Sequence, residues 1–191
     1  MIDHKHISTL ESNKSISYKT INFNTIDINE LKVTTANDGS MFNSMDQILL
    51  FKDMPTFDIP SLGCAKPIYS AALWVGGLDE NNNDLHIAAQ TYRQAGSDYL
   101  PGPIDLVSGK YDSSANGFYN KIWKIDRKTI EIFKLNYNKP SYTIPLEILD
   151  WPAHGRGNFA RNLAPFEDID NNGIYEPTKG DYPKIKGDQM L

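Results

Sequence analysis

Ile68-Tyr69-Ser70-Ala71-Ala72-Leu73-Trp74-Val75-Gly76-Gly77 is an apolar run closed by a glycine pair, and its reading decides the fold. An apolar stretch of this kind suits a central strand of a sheet, covered on both faces. The glycine pair ends it, residues 79–84 (Asp79, Glu80, three asparagines and Asp84) form a polar loop, and residues 85–92 run back as its partner. Two strands of opposite direction joined by a short polar loop make a hairpin.

The flanking segments repeat the strand rhythm. Apolar and polar residues alternate in Ile26-Asp27-Ile28 and in Leu31-Lys32-Val33, the period of a half-buried strand. Asn37-Asp38-Gly39 then turns the chain into Met41-Phe42. The proline-containing residues 53–67 read as a long connection, and residues 100–117, with Pro101-Gly102-Pro103, as irregular.

Helical spacing enters only later. Asp126 is placed to cap a helix carrying Ile130, Phe133, Leu135 and Tyr137, which Pro140 stops. A second short helix begins at Pro145, with the proline in its first turn, and includes Leu146, Ile148 and Leu149. From Trp151 onward Gly, Pro, Asn and Asp dominate. The expectation is a mainly β fold: an antiparallel, sandwich-like sheet with one or two short helices, with α+β as the alternative. Residues 1–20 form a polar lead-in and residues 21–191 a single β-rich module; no internal repeat is visible.

Composition bounds the function classes. The 191 residues suffice for a buried core, and 40% hydrophobic with 23% charged residues is ordinary for a globular protein. The net charge of −5 gives no broad attraction to nucleic acid or an anionic membrane. A single cysteine, Cys64, rules out an internal disulfide. No apolar run approaches the roughly 18–20 residues that span a bilayer, and the start, Met1-Ile2-Asp3-His4-Lys5-His6, lacks the apolar centre of a signal peptide.

The chemistry concentrates in Asp168-Ile169-Asp170-Asn171-Asn172-Gly173-Ile174-Tyr175-Glu176. Oxygen-bearing side chains stand at alternate positions ahead of a glycine, the spacing that cages a hard cation such as Ca²⁺ with oxygens at about 2.3–2.6 Å. Asp168, Asp170 and Asn172 supply side-chain oxygens, Ile174 its carbonyl, and Glu176 an oxygen directly or through water. The segment departs from an EF-hand at its end, where Lys179 stands in place of the bidentate Glu. Asp181, after Gly180, then closes the cage. No pair of long amphipathic helices flanks the loop, so the site is static rather than a sensor. The competing reading is a plain hairpin turn, since Asn-Gly favours the positive φ of a type I′ turn.

Other motifs fail on context. Gly155-Arg156-Gly157-Asn158-Phe159-Ala160 spells G-x-G-x-x-A, but a dinucleotide site needs a strand before it and a helix after it, and Pro152 and Pro165 crowd both sides. Ser108-Gly109-Lys110-Tyr111 lacks the upstream glycine and the following hydroxyl of a phosphate loop. No nucleophile elbow is present, and no histidine is near Cys64 in sequence. His4 and His6 fall in the lead-in. His86 falls in the predicted strand, where packing or a hydrogen bond accounts for it better than base catalysis. His154, in a loop near acidic residues, is the one weak catalytic candidate, and no second member of a catalytic set is identifiable. Trp74, Trp123, Trp151, Tyr92 and Arg93 could line a platform for sugar or peptide, although core packing is the commoner use of tryptophan.

Several strings taken in order carry a resemblance. They are Ala72-Leu73-Trp74-Val75-Gly76-Gly77-Leu78-Asp79; residues 85–94, Leu85-His86-Ile87 through Arg93-Gln94; Pro101-Gly102-Pro103-Ile104-Asp105; Ile122-Trp123-Lys124-Ile125; Trp151-Pro152-Ala153-His154-Gly155; and Asn162-Leu163-Ala164-Pro165-Phe166, leading to Gly180-Asp181-Tyr182-Pro183 and Lys186-Gly187-Asp188-Gln189. Across residues 31–191 the chain resembles the N-terminal region of large exported Bacteroidetes proteins, many of which end in a type IX secretion sorting domain. The activity of that family is mostly unassigned. The resemblance implies a secreted or surface-attached protein with a β-rich module, and further domains of the same polypeptide beyond this fragment. Ca²⁺ is plentiful outside cells and can replace disulfides as a staple there.

The expectation is therefore a non-catalytic, calcium-stabilised module of a secreted or cell-surface protein, structural or adhesive, with a glycan or another surface protein as partner. An extracellular hydrolase using His154 with an acidic residue is the alternative from a different class.

Overall fold

The computed structural model describes residues 22–42, 57–60, 65–79, 83–89, 98–112 and 117–191. The lead-in with His4 and His6, the thiol of Cys64, and Tyr92, Arg93 and Gln94 lie outside the described residues.

The fold is mainly β, and every described strand pairing is antiparallel. The expected antiparallel, sandwich-like fold with short helices holds, and only two α-helices accompany the strands among the described residues. β1 (Phe23–Ile28) and β2 (Leu31–Ala36) form a hairpin that pairs Phe23 with Ala36 and Ile28 with Leu31. Its turn holds Asn29 at φ 56°, a left-handed conformation that asparagine tolerates. β3 (Ser40–Phe42) joins β2 after the expected turn, where the Asp38 carboxylate accepts the Ser40 N–H at 3.0 Å and the Ser40 hydroxyl at 2.6 Å. β4 (Phe57–Asp58) pairs with β2, and β5 (Ser70–Ala72) with β3, completing a five-stranded sheet.

The apolar run that begins at Ile68 does not form one central strand. It breaks at Leu73: β5 stays in the sheet, while β6 (Trp74–Leu78) leaves it and among the described strands pairs with β7 (Leu85–Ala89). The hairpin is thus read correctly and its placement is not. A central strand needs partners on both edges, and β6 has one among the described residues. Gly76 and Gly77 also offer no side chain to a covering layer. Trp74, Leu78, Leu85 and Ile87 are accordingly all more than 60% exposed. Of the three tryptophans, Trp151 is buried and Trp123 half-buried, and Trp74 is not a core residue. His86 is also exposed, 3.9 Å from Asp79 across the hairpin, rather than packed.

The core sits in the C-terminal half. Ile125, Ile130, Phe133, Ile148, Trp151 and Ala153 form its buried cluster. Each fully buried large side chain there contributes about 1.5–3 kcal/mol. α1 (Arg127–Asn136) supplies Ile130 and Phe133, and Tyr137 just past its end packs beside them. These three share one helical face, whereas Leu135 falls on the opposite side and is exposed. Asp126 occupies the expected cap position, but its carboxylate bonds no helix N–H. It accepts the Gln189 side-chain amide at 2.6 Å instead. The Gln189 carbonyl in turn accepts the Asp27 N–H at 2.6 Å. One glutamine thereby ties β11 (Gln189–Met190), which pairs with β8 (Ile125–Asp126), to β1. α2 (Leu146–Leu149) starts one residue later than expected: Pro145 is its cap, and its carbonyl accepts the N–H groups of Ile148 and Leu149 at 3.1 and 3.0 Å. Among the described residues no helix is long and apolar enough to cross a membrane.

Candidate metal centre

The acidic loop is held at its two ends by β9 (Phe166–Glu167) and β10 (Tyr182–Pro183), which pair Glu167 with Tyr182. Those strands rest on the core through Phe166 and Tyr182. Tyr175, from the middle of the loop, reaches the same core and donates its hydroxyl to the Ile148 carbonyl at 2.8 Å. Burial, with a smaller contribution from the Asp181 charge, pushes this phenol far above its ordinary pKa, so it remains a neutral donor. The loop is therefore a long excursion between two strands, not the two-residue hairpin turn that Asn172-Gly173 could have made.

Asp181 is the pivot of the excursion. It is fully buried, and each of its carboxylate oxygens accepts a backbone N–H, from Ile169 at 2.9 Å and from Glu176 at 2.8 Å. Hydrogen bonds to an ionised carboxylate are the strong kind, and here they join the two ends of the acidic segment to one side chain. Gly180 makes this possible. Its φ of 108° is open to glycine, and a Cβ there would lie 2.9 Å from the Tyr137 ring.

Asp168 folds the segment from its other side, accepting the Gly173 N–H at 2.7 Å and the Asn172 N–H at 3.3 Å. The bond from Gly173 leads the effects that hold this carboxyl below its ordinary pKa. Asn171 at φ 58° and Gly173 at φ 74° supply the left-handed residues the bend needs. The Asn172 side chain bridges Asp170 at 2.9 Å and Glu176 at 2.8 Å, while its oxygen accepts the Ile174 N–H at 2.7 Å. Lys179 bonds Glu176 at 2.6 Å and stands 3.7 Å from Asp170. That bond lowers the Glu176 pKa and raises that of Lys179.

Three of the predicted ligands come together. Asp168, Asp170 and Asp181 present carboxylate oxygens that all lie within 4.8 Å of one another. A Ca²⁺ ion about 2.3–2.6 Å from two oxygens requires them to lie no more than about 5 Å apart, a condition that each pair of the three meets. Glu176 is turned to Lys179 and Asn172 instead, and the Asn172 oxygen is taken by Ile174. Lys179 is the functional residue that ligand spacing passes over. It sits where an EF-hand carries its last carboxylate and acts as an internal counter-ion. Its signal in the sequence is a position three residues after Glu176 in a tight turn.

No protein-family model, curated protein or solved structure matches this chain. What the site can do therefore follows from its own geometry.

His154 is drawn into the same region, and both of its ring nitrogens meet backbone groups. Tyr175 donates its N–H to Nε2 at 3.0 Å, so Nε2 is the acceptor and Nδ1 carries the proton, donated to the Arg161 carbonyl at 3.0 Å. The ring also packs edge-on against Phe166, with centroids 5.2 Å apart. In this arrangement neither nitrogen is left to exchange a proton with a substrate. Arg156 does not converge on it, because its guanidinium stacks on Phe118 at 4.6 Å. The neighbouring Gly155 explains the G-x-G-x-x-A string. A Cβ there would fall 2.3 Å from the Ala160 carbonyl oxygen, so the glycine serves a close backbone turn and no dinucleotide. Asp105 similarly caps Val107 and Ser108 at 2.9 and 2.8 Å, which organises the Ser108-Gly109-Lys110 segment without a phosphate.

Proposed function

We propose that this chain is a non-catalytic, calcium-stabilised module of a secreted or cell-surface protein, with a structural or adhesive role. The observation that carries the reading is the convergence of Asp168, Asp170 and Asp181 within 4.8 Å on a loop anchored at both ends. A dication there offsets the mutual repulsion of the carboxylates and fixes a segment rich in polar residues and poor in apolar ones. The resemblance to the N-terminal region of exported Bacteroidetes proteins supports the extracellular setting, where Ca²⁺ is abundant. It also supports further domains of the same polypeptide, and a glycan or another surface protein is the partner such a module would take.

The test is the melting temperature of the purified chain in about 10 mM Ca²⁺ and in excess chelator. Extracellular modules bind Ca²⁺ with Kd of about 10⁻⁴–10⁻³ M, so mass action adds about 1.4–2.7 kcal/mol. For a chain of this size that is a rise of roughly 3–10 °C. The increment disappears in the Asp168→Ala, Asp170→Ala double variant. Equal melting with Ca²⁺ and with chelator in the wild type would remove the cation from the account.

A further inference from the structure

Asn172-Gly173 carries a chemistry separate from ion binding. Glycine has no side chain to shield its backbone nitrogen, so that nitrogen can attack the side-chain amide carbon of a preceding asparagine. The Gly173 N–H first loses its proton to hydroxide. A bond from Gly173 N to Asn172 Cγ then forms as the Cγ–Nδ2 bond breaks, and ammonia leaves with a proton from water. The resulting cyclic imide is opened by water at either carbonyl, giving aspartate or isoaspartate. No oxidant, reductant or enzyme is required.

The folded loop opposes each part of this sequence. The nucleophilic nitrogen is capped, since Gly173 donates its N–H to Asp168 at 2.7 Å. The following peptide is also held, since Arg161 donates to the Gly173 carbonyl at 3.3 Å. Losing that proton would place a negative nitrogen against the Asp168 carboxylate, an unfavourable like-charge contact. The electrophile is also restrained. For Cγ to reach the nitrogen, the Asn172 side chain must leave Asp170, Glu176 and the Ile174 N–H, which hold it at 2.9, 2.8 and 2.7 Å.

We propose that Asn172-Gly173 is a latent self-modification site, kept unreactive by Asp168 and the closed loop and released when the loop opens. Conversion is then irreversible and self-reinforcing. Isoaspartate inserts an extra carbon into the backbone, which destroys the alternate spacing on which the loop depends. The site thus records how often the loop has opened, whether or not a cation binds.

The experiment incubates the full chain in mildly alkaline buffer with chelator and follows Asn172 by peptide mapping, folded and in urea. Conversion in the folded chain is expected to be slower by about tenfold or more, corresponding to about 1.4 kcal/mol or more of opening free energy. Asp168→Ala, while still melting cooperatively, should lose most of that protection. Folded wild type reacting as fast as the unfolded chain would overturn the inference, as would a folded Asp168→Ala that stays fully protected. Should that variant fail to fold, hydrogen exchange at the wild-type Gly173 amide decides. A protected amide supports the proposal, and exchange at the unfolded rate overturns it.

Discussion

Replacing Asp181 by asparagine removes one charge and changes almost no volume, which isolates what the buried carboxylate does. In the folded chain its two oxygens accept the N–H groups of Ile169 and Glu176 at 2.9 and 2.8 Å, with no exposure to water. Asparagine keeps one acceptor and turns an NH₂ toward the other N–H. One charge-assisted bond, about 1.5–3 kcal/mol, becomes a weaker neutral bond of about 0.5–1.5 kcal/mol. The second is lost and leaves a backbone donor unsatisfied, at about 1–3 kcal/mol. Since the amides are only partly buried, the top of the combined range is excluded, leaving about 2–4 kcal/mol. The corresponding fall in melting temperature is roughly 5–15 °C. The measurement belongs in excess chelator, so that any bound cation is excluded and only the hydrogen bonds are read. Urea unfolding should show a lower midpoint at unchanged slope, the sign of a stability change rather than a change in the unfolded chain. A loss below about 0.5 kcal/mol would refute the role of Asp181 as the pivot, because surface substitutions alone reach that size.

Two further outcomes follow from the same network. His154→Phe keeps the ring against Phe166 but orphans the Tyr175 N–H and the Arg161 carbonyl, and should destabilise the chain by about 1–3 kcal/mol in urea unfolding; unchanged stability would mean the imidazole is not a structural tie. Loop order should also depend on pH at both extremes. The Asp168 and Glu176 carboxyls are held below their ordinary 3.8 and 4.5, so their contribution is present above those values and is lost as pH falls through the lowered ones. Lys179 is held above its ordinary 10.5, so its contribution is present below that value and is lost as pH rises through the raised one. Protection factors of the loop amides should therefore fall at the acid extreme and again at the alkaline extreme, and protection retained at both would contradict the assignment.

What the sequence disclosed was mostly local. Alternation exposed β1 and β2, the Asn37-Asp38-Gly39 turn exposed β3, and the spacing of Ile130, Phe133 and Tyr137 exposed α1. The alternating Asp168 and Asp170 stand beside Asp181 in the folded loop. Misplaced features were those that long-range partners decide. Whether the run around Trp74 lies in the middle of a sheet depends on which strands reach its edges, and apolar content does not encode that. Asp126 has the local signature of a helix cap, yet Gln189, far along the chain, claims its carboxylate. His154 looked like a loop histidine open to chemistry until Tyr175 and Arg161 supplied partners for both nitrogens. Periodicity reports which face of an element is wet. It cannot report which polar groups will meet.

The dual use of Asp181 bears on how tightly a cation could be held. An ionised carboxylate has about four lone-pair directions, so oxygens that each accept one N–H still have capacity toward an ion. The bonds from Ile169 and Glu176 therefore preorganise one ligand at no cost to its coordination. The remaining ligands are less ready. Lys179 lies 3.7 Å from Asp170 and 2.6 Å from Glu176, and its ammonium already offsets part of the charge that a dication would neutralise. An incoming ion must displace that ammonium from Asp170, or share the carboxylate with it at the cost of cation–cation repulsion. Either way affinity is reduced relative to a loop that ends in a bidentate glutamate. A lysine at this place would lower affinity for a cation, while its ammonium pairs with Glu176 and stands near Asp170 where no cation is bound. Such a site suits a medium where Ca²⁺ is plentiful, and would be of little use as a sensor of trace calcium.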